Sequence, residues 1–372
     1  MVAGRKQDLR LFLCGDVMTG RGIDQVLPQS CAPVLHEEWV KDARVYRQIA
    51  EDANGPIPAP VSHDYVWGDA LAWFEHFAPD WRVINLETAI TTSDEAWPGK
   101  GIHYRMHPAN AGVLTAAGID ACSMANNHVL DWGHPGLEET LTVLADRGIA
   151  TAGAGPDRAT AQTPALLDAG TNGRVLLVAC GAPSSGIPSD WAAGTARAGV
   201  WRLDETRRET IDAIACQITA HRQTGDIVIA SIHWGGNWGY EIPRAQRRCA
   251  HALIDAGVDI VHGHSAHHPR GIEVYAGRLI LYGCGDFLND YEGIGGHAEY
   301  RPDLTLMYFV DVDAASGRLQ GLAIRPMRLH RFRLVDADPA DADWVTTRLD
   351  RESRKLGTAI VKDAAGTLHA RL

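Results

Sequence analysis

The stretch "VDIVHGHSAHHPRGIEV", Val258–Val274, puts His262, His264, His267 and His268 within seven residues, directly after an apolar run. The run is short and β-branched, and it follows the helical pattern "RAQRRCAHALIDAG" at 244–257. It therefore reads as a buried strand, 258–264, leaving a helix. A lone histidine is more often a satisfied core or surface residue. Four at the exit of one strand ask for a metal, a phosphate or a proton-transfer site.

Working outward, the same unit recurs. "LRLFLCGD" (9–16), "WRVINLE" (81–87), "IDACSMA" (119–125), "RVLLVACG" (174–181), "DIVIASIHW" (226–234) and "RLILYGCGDF" (278–287) read as further buried strands. Helical patterns at 108–118, 136–148, 204–223 and 244–257 lie between several of them. Strands alternating with helices predict an α/β layer fold. The runs 304–313 and 318–332 follow one another without a helix, which predicts an antiparallel pair and so two packed sheets with helices outside. Residues 25–80 break the rhythm with proline-rich and aromatic stretches and read as an inserted lid. Such a length would be unusual for a structureless loop. One catalytic domain is expected over 1–335, followed by a polar helical tail over 336–372.

Composition bounds the class. The chain has 372 residues, 45% of them hydrophobic and 22% charged, as expected of an ordinary globular protein. A formal net charge of -11 argues against nucleic acid, whose binding is driven by Lys and Arg. Seven scattered cysteines without a CxxC pair give no disulfide framework, so a reducing cytoplasm is expected. The N-terminal "MVAGRKQDLRLFLCGD" lacks the apolar region of a leader, and no window suits a membrane span.

The chemistry sits at strand ends. The predicted strands run out at Asp16, at Glu87, into Asn126, Asn127 and His128, at His233, at His264 with His267 beyond it, and at Asp286. Each has a bland reading as a cap, a turn or a core residue. They share one position, however, and ligands of open α/β sheets bind outside the carboxyl ends of strands. Imidazole, carboxylate and amide donors without a strand-end thiolate other than Cys284 disfavour a Cys-type structural zinc site. They suit Mn, Fe, Zn, Co, Ni or Mg without choosing among them.

In this order, "LFLCGDVM", "VINLET", "CSMANNHVLDWG", "IHWGGNW", "GHSAHHPRGIEV" and "LYGCGDFLND" resemble the calcineurin-like metallophosphoesterase superfamily. The closer resemblance is to its branch named after CapA, the poly-γ-glutamate capsule biosynthesis protein, over about residues 9–330. It implies a metallophosphoesterase-like four-layer α/β/β/α sandwich binding one or two divalent ions. Its metal ligands would be Asp16, Glu87 (in place of a bridging aspartate), Asn127, His233, His264 and His267, with His128 as an acid. His262 and His268 have no counterpart. The sequence departs from the superfamily at Met18, where a histidine ligand is usual, and this puts plain phosphoester hydrolysis in doubt. Capsule members generally carry a membrane anchor, which this chain is not expected to have.

Some soluble members of the branch are peptide epimerases of lasso-peptide type, and Cα epimerisation is the reaction expected first. A metal would stabilise an enolate, and two acid/base groups would work on opposite faces. His297, in the glycine-rich loop 285–303, is one candidate, with His128 or Asp16 opposite. The alternatives are a metal-dependent hydrolase of a phosphoester or γ-glutamyl amide, and a poly-γ-glutamate biosynthesis factor. A peptide or small anionic substrate is expected to meet Arg21, Arg105, Trp234, Asp290 and Glu292. Lys100, Arg270, Trp97 and Trp238 are further candidates near strand-end loops. The oligomeric state is open.

Overall fold

The computed structural model describes residues 8–168 and 173–372. Residues 1–7, part of the stretch in which no leader is expected, lie outside the described residues. In chain order the sheet strands begin with β1 (Asp8–Val17), β2 (Trp81–Leu86), β3 (Ala121–Ser123), β4 (Ala150–Ala152), β5 (Ala165–Asp168) and β6 (Arg174–Gly181). They continue with β7 (Asp226–His233), β8 (Ile260–His264), β9 (Ile272–Tyr275), β10 (Arg278–Leu281) and β11 (Asp286–Leu288). The last are β12 (Leu304–Asp313), β13 (Leu319–Leu329), β14 (Leu334–Asp336), β15 (Ala359–Lys362) and β16 (Leu368–Arg371). The principal helices are α1 (Arg44–Asn54), α2 (Ala70–Phe77), α3 (Gly133–Ala145), α4 (Arg208–His221), α5 (Arg244–Asp255) and α6 (Pro339–Arg354).

One sheet runs β15-β16-β13-β12-β1-β2-β3-β4, with β11 on β1 and β14 on β13. The other runs β9-β10-β8-β7-β6-β5. Period-two alternation along the strands decides what lies between and outside them. Leu9, Leu11 and Leu13 of β1 share one core with Val175, Leu177, Ile227 and Ile229 of the second sheet. Phe12 and Cys14 point the other way, into a core with Phe74 of α2 and Leu137 and Leu144 of α3. Leu176, Val178, Val228 and Ala230 face Ile214 and Ile218 of α4 and Leu253 of α5. The layers therefore run helix, sheet, sheet, helix. Each leucine buried in them contributes about 1.5–3 kcal/mol. The antiparallel pairing expected for 304–313 and 318–332 is that of β12 with β13.

Three segments differ from the sequence reading. The run 278–287 is not one strand: β10 pairs in the second sheet and β11 in the first. The chain crosses between sheets at Gly283–Gly285, where a Cβ on Gly15 would lie 1.5 Å from the Gly285 carbonyl oxygen. Only glycine at position 15 permits that approach. Residues 25–80, expected as a lid, supply Val26, Ala50, Ile57, Trp67 and Phe74 to the outer core of the first sheet, so α1 and α2 belong to its helical layer. The tail is not a polar helix alone. Val345 and Leu349 of α6 enter the core between the sheets, and β15 and β16 extend the first sheet beside β13. The apolar pair four residues apart is masked in sequence by the Asp and Arg residues around it. Among the described residues no helix is long and apolar enough to cross a membrane.

Candidate metal centre

The crossing at Gly285 delivers two carboxylates to one place. Asp16, near the end of β1, is the register partner of Asp286 on β11 and of Asn85 on β2. On the second sheet the ends of β7 and β8 are paired, His233 against His264. Asp16, His233 and His264 thus offer ligand atoms within 4.8 Å of one another, and so do Asp16, Glu87 and Asp286. Asp16 belongs to both groups. Asp16 is thus the carboxylate common to the two groups, whereas the family resemblance puts the bridging position at Glu87.

Hydrogen bonds aim these side chains. Asp16 Oδ1 accepts from Asn85 Nδ2 at 2.7 Å, and its Oδ2 accepts from the Ser265 amide at 3.2 Å. The Nδ1 atoms of His233 and His264 lie 4.0 and 3.9 Å from Asp16 Oδ1. A chain of bonds sets the tautomer of His264. His262 Nε2 lies 2.6 Å from the Cys14 carbonyl, which can only accept, so Nε2 carries the proton. Its Nδ1, 3.1 Å from Ser231 Oγ, then accepts from the hydroxyl. Ser231 Oγ in turn accepts from His264 Nε2 at 2.9 Å, which leaves the His264 Nδ1 lone pair facing Asp16. His262 is thus a tie between the two sheets and an orienter rather than a ligand.

Asn127 Oδ1 lies 2.9 Å from His233 Nε2, and His267 Nδ1 lies 2.9 Å from Asp286 Oδ1. Both residues line a cleft of about 270 Å³ with Glu87, Lys100, Tyr104, His128, His233, Asn237 and Ser265. His128 Nδ1 donates to Asp131 Oδ2 at 2.7 Å, and its Nε2 faces Glu87 at 3.9 Å. Its ring stacks on Tyr104 with centroids 4.0 Å apart. Lys100 Nζ pairs with Asp131 Oδ1 at 2.6 Å.

Electrostatics fit a cation. Burial first, then the neighbouring Asp286, pushes Asp16 up to about 7. Burial, then Asp16 and Asp286, holds Glu87 well above the carboxylate range. Burial holds His233 and His264 well below the ordinary imidazole value and brings His128 down to about 4. Neutral imidazoles and crowded carboxylates are the donor state a divalent ion needs, and its charge would relieve the repulsion among the acids. The N and O donors suit Mn, Fe, Co, Ni or Zn.

The expected substrate residues are not gathered at this cleft. Arg21 is 4% exposed and its guanidinium is already taken: Asp290 binds Nε at 2.9 Å and Nη2 at 2.5 Å, and Glu37 binds Nη1 at 2.9 Å. Asp290 is thereby buried as the partner of Arg21 and of the Gly22 amide. Glu292 accepts from the amides of Arg331 and Phe332, both in the left-handed region, and so holds a turn together. Arg105 donates to Ser93 O and Asp94 and stacks over Trp132. Trp234 is fully buried, donating to Tyr282 O. His297 is exposed and stacks on Trp238 at 3.9 Å, outside the cleft lining. Each of these side chains instead has an internal partner or an aromatic face. Conversely, Asp286, Asn85, Ser231 and Asp131 belong to the centre. Asp286 carried the strand-end signal, and Asp131 follows His128 by three residues. Asn85 and Ser231 carried no signal beyond lying next to a strand end.

The model of the family described as "Bacterial capsule synthesis protein PGA_cap" matches residues 10–291. A probable polyglutamine synthesis accessory protein of Mycobacterium tuberculosis is 46% identical over 361 residues, spanning 97% of this chain and 95% of that protein. The PGA biosynthesis protein CapA of Bacillus subtilis is 29% identical over 277 residues, spanning 74% of this chain and 62% of that protein. A solved phosphatase from Mycoplasma pneumoniae aligns over 90% of this chain and 96% of its own at 11% identity, with a TM-score of 0.48.

Proposed function

The chain belongs to the bacterial capsule synthesis protein family PGA_cap, and from that premise we propose that it is a divalent-metal-dependent accessory factor of polyglutamate synthesis that hydrolyses a γ-glutamyl amide bond. The observation that carries this reading is Asp16, common to two ligand groups within 4.8 Å. A carboxylate shared in this way suits the two-ion arrangement of metal-dependent hydrolases. Asp16, His233 and His264 would hold one ion, and Asp16, Glu87 and Asp286 the other, with Asn127 and His267 beside them. Bound there, such ions supply the positive charge that polarises a scissile carbonyl and activates water.

The remaining chemistry belongs to the chain. Asp131 fixes the Nδ1 proton of His128 and so turns the Nε2 lone pair toward the cleft. Held neutral by burial, His128 takes a proton from the attacking water and returns it to the leaving amine. Tyr104 packs against the ring and excludes solvent from that face. Hydrolysis needs one such group. Epimerisation needs a second on the opposite face, and His297 lies outside the cleft lining.

Incubating the protein with Mn and a γ-glutamyl oligopeptide in heavy water tests the reading. Mass spectrometry should find chain cleavage without deuterium at Cα. Deuterium at Cα without cleavage would favour the epimerase. Turnover of a generic phosphodiester without γ-glutamyl cleavage would replace both with a phosphoesterase.

A further inference from the structure

Arg270, three residues beyond His267, is 3% exposed. Its Nη2 donates to the Gly236 carbonyl at 2.7 Å, and its Nε has no acceptor among the described residues. Other buried arginines have carboxylate partners: Arg21 has Asp290 and Glu37, Arg105 has Asp94, and Arg174 has Asp226. For Arg270 no described residue supplies one, and burial alone perturbs it. A guanidinium cannot shed its proton, and an unpaired buried charge is strongly disfavoured.

Beside it lies a second orphan. Gln246, on the first turn of α5, is 1% exposed, and among the described residues neither its amide nitrogen nor its oxygen has a partner. The two side chains converge at Gly235. A Cβ on that residue, whose φ is +80°, would meet Gln246 Nε2 at 2.6 Å and Arg270 Nη1 at 3.1 Å. The helix start beside them has Pro243 as its cap, with no side-chain acceptor. Guanidinium and amide donors thus converge on Gly235, which a side chain could not occupy without displacing them, at the positive end of a helix.

We propose that Arg270 and Gln246, beside the Gly235–Gly236 turn, form a binding site for an oxyanion, a carboxylate or phosphate group, separate from the metal centre. The site does not depend on the reaction proposed above. It holds the turn that carries Asn237, one of the residues lining the metal cleft, and whose Gly235 carbonyl accepts from Ser265 Oγ at 3.1 Å. Two sources share this chemistry: free phosphate and a carboxylate of a γ-glutamyl chain.

Thermal unfolding at constant ionic strength, with inorganic phosphate or γ-glutamylglutamate as probe, tests the site in the wild type, Arg270→Met and Gln246→Leu. A saturable rise in Tm with phosphate in the wild type, abolished in Arg270→Met and weakened in Gln246→Leu, supports a site for free anion. The same pattern with the dipeptide alone assigns it to a chain carboxylate. An equal rise in all three proteins places the anion elsewhere, at the metal cleft or nonspecifically, and overturns the proposal. No rise in the wild type with either probe overturns it too. If Arg270→Met does not fold, phosphate titration calorimetry of Gln246→Leu against wild type decides, with equal affinity being the contrary result. Metal content should be unchanged in folded variants, which keeps this test apart from that of the metal centre.

Discussion

The Nδ1 atoms of His233 and His264 face each other 2.8 Å apart at the paired ends of β7 and β8. Two neutral imidazoles can share one proton at that distance, but beside Asp16 the arrangement also suits a pair of ligands to one divalent cation. Replacing His264 by alanine removes one donor of three. The expected result is loss of about one equivalent of divalent ion per chain, read by elemental analysis.

Asp131 should matter through His128. Asp131→Asn keeps the shape but no longer fixes the Nδ1 proton, so the Nε2 lone pair is lost from the cleft in part of the population. Turnover should fall by about 10²–10⁴, as for loss of a general acid/base, while metal content and KM stay near wild type. A parallel loss of bound metal would instead assign Asp131 to the metal-binding structure.

Metal-free protein should lose stability as pH rises from about 4 toward 7. Asp16 in the folded state is pushed up to about 7, above its unfolded value. Between those values the folded chain binds more protons than the unfolded one, so the slope of unfolding free energy with pH is negative. The drop from Asp16 alone is at most roughly 4 kcal/mol. Bound metal should remove it, because the ion replaces the proton. Urea titrations of chelated and metal-loaded protein at pH 5 and pH 7.5 read the difference.

Arg21 is a structural residue in this account. Arg21→Met strands Asp290 and Glu37 without their partner, and such a loss costs about 3–5 kcal/mol. Tm should fall sharply, while KM of any folded fraction should stay close to wild type. A KM rise at unchanged Tm would restore Arg21 to substrate binding.

Much of the architecture was readable because hydrophobic periodicity reports burial directly. Strands such as 174–181 and 226–233 are apolar on both faces, and the structure buries both. The strand-end rule names Asp16, Glu87, Asn127, His233 and His264, and the structure brings these side chains close together, since parallel strands put their ends on one edge. What sequence could not report was pairing between side chains. Arg21 and Asp290 are 269 positions apart, and nothing local says that they neutralise each other. The crossing at Gly285 lies inside a run that reads as one strand, so the sequence shows Asp286 as a strand end and not as a partner of Asp16. His262, without a family counterpart, became intelligible only through the Cys14 carbonyl on the other sheet.

Metal stoichiometry in Asp16→Asn tests the shared carboxylate most directly. The wild type should hold two divalent ions per chain, Glu87→Gln and His264→Ala about one, and Asp16→Asn fewer than either. If Asp16→Asn binds the same two ions with wild-type affinity, Asp16 joins no pair of sites, and the centre described here is not a metal centre of this kind.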